Sequence, residues 1–155
     1  MTAWILLIVF FLLDLFVSVT RAAMLNARLP QLIDQGTEDK EQLERTIRIL
    51  EKNRLRATLR FLVGLLHALI LACAWVLVER SVVEVSFAGM MGIFALILVI
   101  LIGFEFLVER FPLGDPEKWA LSLAPVANLL DLSFSPLVAL FINLQGTRDS
   151  VQRNL

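Results

Sequence analysis

The chain has 155 residues, 58% of them hydrophobic, with 14 basic and 15 acidic side chains and a net charge of −1. Soluble domains are about 45–50% apolar, so this composition excludes an ordinary soluble domain and points to a membrane. No basic excess supports nucleic-acid binding, and a single cysteine, Cys73, excludes an intrachain disulfide.

Three runs have the length and composition of membrane spans. Residues 1–20 are apolar except for Asp14. Residues 61–78 lie between Arg60 and Glu79, with His67 and the weakly acidic Cys73 as their ionisable groups. Residues 85–104 lie between Glu84 and Glu105 and carry no charge. At about 1.5 Å per residue each run, with a few flanking residues, crosses a hydrocarbon core of roughly 30 Å. The first run lacks the basic start and small-residue cleavage site of a secretory signal, so it reads as an anchor that stays.

Orientation follows from the basic residues. Nine lie from Arg21 to Arg60, between the first and second runs, Arg80 alone lies between the second and third, and four follow the third. The positive-inside rule then puts the N-terminus outside, the first loop in the cytoplasm, the second loop outside and the C-terminus in the cytoplasm. A plasma (inner) membrane location is expected.

The first loop carries its own pattern. Pro30 stops an extension of span one, and Gly36-Thr37 opens a helix with Thr37 as N-cap and Glu38 and Asp39 in its first turn. Leu43, Ile47 and Leu50 fall on one face, while Glu41/Arg45 and Glu44/Arg48 form i,i+4 pairs on another. This is either a solvated helix leading into span two or a basic surface resting on anionic headgroups. Beyond span three, residues 111–116 form a turn-rich break with Pro112, Gly114 and Pro116. Residues 119–144 are apolar again, but Pro125 and Pro136 interrupt them. The breaks favour interfacial helices over a fourth span.

No catalytic constellation emerges, and no enzyme activity is expected: the chain has one histidine, one cysteine and no tyrosine. Three ionisable groups lie at membrane depth, Asp14, His67 and Glu105. Such groups are costly there and mark functional sites or buried polar contacts between helices. Gly64, Ala68 and Ala72 form a small-residue stripe on span two, and Ala88 and Gly92 repeat the spacing on span three. The stripe permits close helix approach and fits self-association.

The order of one span, a basic helical loop, two more spans and a Pro-broken apolar segment resembles the transmembrane domain of the CNNM/CorC proteins, which are associated with transport of magnesium and other divalent cations. The residues that carry the resemblance are Glu105, Asp115-Pro116-Glu117-Lys118-Trp119-Ala120, Leu123-Ala124-Pro125 and Ser135-Pro136-Leu137, with Arg21-Ala22-Ala23-Met24-Leu25-Asn26-Ala27-Arg28 at the end of span one and Ala57-Thr58-Leu59 at the start of span two. Departures stand beside it. A Ser/Glu pair of the family aligns with Val19-Thr20, a serine with Leu25, asparagines with Val63 and His67, and a Pro-Lys pair with Val108-Glu109. The CBS domains that usually follow do not appear in this sequence.

The resemblance implies an all-α integral membrane fold, with three transmembrane helices, a cytoplasmic helical loop and juxtamembrane interfacial helices. It spans residues 1–145, with a polar tail at 146–155. It also implies a homodimer in the bilayer and a divalent-cation site in which Glu105 supplies charge and Thr20 and Asp14 supply oxygen. Magnesium is the expected ion, because the donors are hard oxygens, with His67 as a bias toward a softer metal. The alternative function is a membrane scaffold or accessory subunit that kept the fold and lost the site.

Overall fold

The computed structural model describes residues 2–35, 40–52, 54–80 and 86–152. They form α1 (Thr2–Asn26), α2 (Leu29–Gln35), α3 (Lys40–Leu50), α4 (Leu55–Glu79), α5 (Phe87–Leu113) and α6 (Pro116–Gln152), with no strand among the described residues. The Thr37 cap lies outside them.

Helices α1, α4 and α5 contain the three apolar runs and form the bundle. Arg21 near the end of α1 pairs with Glu109 near the end of α5, so these two helices run parallel. His67 faces Asp14, while Arg60 shares a cavity with Arg21, so α4 runs antiparallel to α1. The bundle has an apolar exterior, and polar groups are buried among the apolar residues of its interior. Asp14, Ser18, Thr20 and Glu105 are buried, whereas Ile5, Ile8, Leu12, Val99 and Phe106 are exposed. An apolar exterior that keeps the polar groups inside is the arrangement lipid demands, because a polar group facing hydrocarbon goes unsatisfied.

The segment joining α1 to α4 is ordered by packing. The chain leaves α1 at Ala27-Arg28, and Pro30 falls in the first turn of α2, where a missing N–H costs nothing. Helix α3 carries the expected Glu41–Arg45 ion pair. Its Leu43, Ile47 and Leu50 pack against the core and Ile49 is buried, so α3 is a packed element as well as a charged one.

The expectation of three spans and a broken C-terminal segment is corrected here. Among the described residues, four helices are long and apolar enough to cross a membrane, the fourth being the stretch Pro116–Leu140 of α6. Pro125 and Pro136 lie inside α6 without breaking it. A proline removes one helical hydrogen bond and crowds the carbonyl four residues back. For Pro125 that carbonyl belongs to Leu121, and the Gln42 side chain of α3 donates Nε2 to it at 3.0 Å. Packing supplies the rest: Ala120, Ala124 and Ala127 are buried in the same core as Ala23, Leu55 and Leu59, and small side chains let the helices approach closely. Polar ties complete the attachment of α6. The Arg28 amide donates to Glu117 at 3.0 Å, and Asp131 accepts from Lys52 at 3.1 Å and from Thr58 at 3.2 Å.

Candidate metal centre

Asp14 lies in the middle of α1, and the chain cannot hide it by bending. An unbroken apolar helix carries it between α4 and α5, where it is 0% exposed. Facing it are His67 from the middle of α4 and Glu105 from the last third of α5. His67 Nε2 lies 3.4 Å from Asp14 Oδ2 and 3.6 Å from Glu105 Oε1. One donor atom from each of the three residues lies within 4.8 Å of the others. Ser18, one turn along α1 from Asp14, donates its hydroxyl to Glu105 Oε1 at 2.9 Å and fixes that carboxylate from across the seam. Phe11 and Phe104 meet edge-to-face at 5.5 Å beside the centre and hold α1 against α5.

The hydrogen bonding of the centre is incomplete. Both Asp14 carboxylate oxygens and His67 Nε2 are buried, and although His67 Nε2 lies 3.4 Å from Asp14 Oδ2, neither group makes a well-formed hydrogen bond through these atoms. Burying a polar group without a partner costs about 2–7 kcal/mol, and an unpaired charge costs more. A cation held by all three groups removes that cost. The two separations from His67, 3.4 and 3.6 Å, suit one: an ion bonded at about 2.0–2.2 Å to each donor in tetrahedral geometry puts the donors about 3.3–3.6 Å apart. Two carboxylates also match a divalent ion in charge.

Of the expected oxygen donors, Asp14 and Glu105 come together and Thr20 does not join them. Thr20 is six residues beyond Asp14, on a different face of α1, and its hydroxyl donates to the Phe16 carbonyl of its own helix at 2.9 Å. Ser18 went unnoticed in the sequence. Its signal was its i+4 spacing from Asp14, which puts both on one face of one span. His67 was legible as an intramembrane ionisable group, but nothing in the sequence put it opposite both carboxylates.

The chain matches no protein-family model, no curated protein and no solved structure.

Proposed function

We propose that the protein is an integral membrane transport domain that binds a divalent cation between α1, α4 and α5. The observation that carries this reading is the buried, hydrogen-bond-deficient Asp14 carboxylate facing His67 and Glu105. The resemblance to CNNM/CorC transmembrane domains agrees with it in ion class and in the role of Glu105. The imidazole alters the expected ion. Magnesium takes near-octahedral oxygen ligands and keeps its waters, whereas imidazole suits zinc and other transition metals. The reading is therefore a site that prefers zinc to magnesium. In the proposed orientation the N-terminus is outside and the basic segment between α1 and α4 is cytoplasmic.

The second reading is a scaffold without transport. It is favoured by the Ser18–Glu105 hydrogen bond and the His67–Asp14 contact, which tie three helices together with no ion at all.

Calorimetric titration of the purified protein with zinc, manganese and magnesium separates the readings, with Glu105→Gln and Asp14→Asn beside it. Both variants keep side-chain size and remove charge. The cation reading expects saturable binding, zinc above manganese and magnesium, lost in both variants while the fold survives. Cation flux into proteoliposomes, lost in the same variants, then distinguishes transport from binding. Absence of binding in the unmodified protein supports the scaffold.

A further inference from the structure

A second charged feature lies at the end of the bundle where α1 and α5 finish and α4 begins. A cavity of about 840 Å³ opens there, lined among others by Arg21 of α1, Arg56 and Arg60 of α4, and Glu109 of α5. The Glu109 carboxylate is taken by Arg21. Arg56 and Arg60 are exposed, one turn apart on the same face of α4, and neither has a carboxylate partner among the described residues. Two guanidinium groups without a carboxylate partner repel cations, so this cavity suits an anion. Guanidinium forks match the oxygens of a phosphate. The same cavity is lined by Leu25 and Leu113, which are 40% and 51% exposed. An anionic head with an apolar body satisfies both halves, and the position at the ends of three apolar helices is where lipid headgroups meet protein.

We propose that this cavity binds the phosphate of an anionic lipid headgroup, held by Arg56 and Arg60, with the apolar part of the lipid against Leu25 and Leu113. The proposal does not depend on the cation centre.

The full chain is reconstituted in nanodiscs of phosphatidylcholine alone or with phosphatidylglycerol added, and co-purifying lipid is measured by native mass spectrometry alongside thermal denaturation. The protein should retain phosphatidylglycerol in preference to phosphatidylcholine and melt at a higher temperature with it. Arg56→Gln/Arg60→Gln should lower the retained phosphatidylglycerol by about tenfold or more, from the loss of two headgroup contacts. Arg56→Lys/Arg60→Lys keeps the charge and removes the forks, so it should give a smaller drop and serves where the glutamine pair fails to fold. Lys40→Gln/Lys118→Gln removes the same charge from exposed positions elsewhere and should leave retention unchanged. Three results overturn the proposal. One is equal retention by the glutamine pair and the unmodified protein. Another is an equal loss in the lysine-site control. The last is the same stabilisation by inorganic phosphate in phosphatidylcholine nanodiscs, which assigns the cavity to a soluble anion.

Discussion

Ser18 and Glu105 stand 87 residues apart in the chain, and the serine hydroxyl donates to the glutamate carboxylate at 2.9 Å inside the bundle. This bond orients Glu105 toward Asp14 and His67. Ser18→Ala should cost about 0.5–2 kcal/mol of stability, the range for hydrogen bonds between membrane helices. It should also weaken cation binding, because Glu105 is then free to rotate. Thermal melts and titration of the alanine variant check both, and unchanged cation affinity removes Ser18 from the centre.

In the proposed cation site, His67 sets the preference among ions. His67→Asn should lower zinc affinity by at least about tenfold while magnesium affinity changes by less than about threefold, since only the transition metal gains from imidazole. Competition titrations with both ions read the ratio directly. A parallel loss for zinc and magnesium means that His67 acts only in packing.

Gln42 substitutes for the hydrogen bond that Pro125 cannot make. Gln42→Leu should destabilise the protein by about 1–3 kcal/mol, the cost of leaving the Leu121 carbonyl unsatisfied. In a Pro125→Ala background the helical N–H returns and the same substitution should cost much less. A double-mutant cycle measured by thermal or denaturant unfolding gives the coupling. Additive effects would falsify the compensation.

The distribution of basic residues predicts a sidedness that labelling can test. Cysteine introduced at Lys40 or at Lys118 should react with an impermeant reagent only in opened cells, because both lie at the basic end of the bundle. Cysteine at Ser81, which is outside the described residues, should react in intact cells. The test is run with Cys73 replaced by serine. Labelling of position 40 from outside reverses the proposed orientation.

The stripe of Gly64, Ala68 and Ala72 points away from the bundle. All three are exposed, and a side chain at Gly64 meets nothing within 4 Å. Gly64→Leu and Ala68→Leu should therefore leave the protomer folded and weaken the proposed homodimer by holding its helices apart. Size measurements in detergent check this, and an unchanged assembly in both variants moves the dimer surface elsewhere.

Much of this was decided locally, and local features are what a sequence carries. The lengths of α1, α4 and α5 follow from uninterrupted apolar runs, and the basic segment between α1 and α4 is plain in the order of residues. Asp14, His67 and Glu105 are conspicuous because a charge within an apolar span has few uses. Their meeting is not local. It depends on the parallel course of α1 and α5 and the antiparallel register of α4, which set His67 and Glu105 on either side of Asp14. The same holds for Thr20 and Ser18, where hydrogen-bonding chemistry alone gave no choice and the helix face favoured Ser18. In α6, Pro125 reads as a break when only its own chain segment is considered. The tertiary structure overrides it because a donor on α3 and a row of buried alanines supply what the proline takes away.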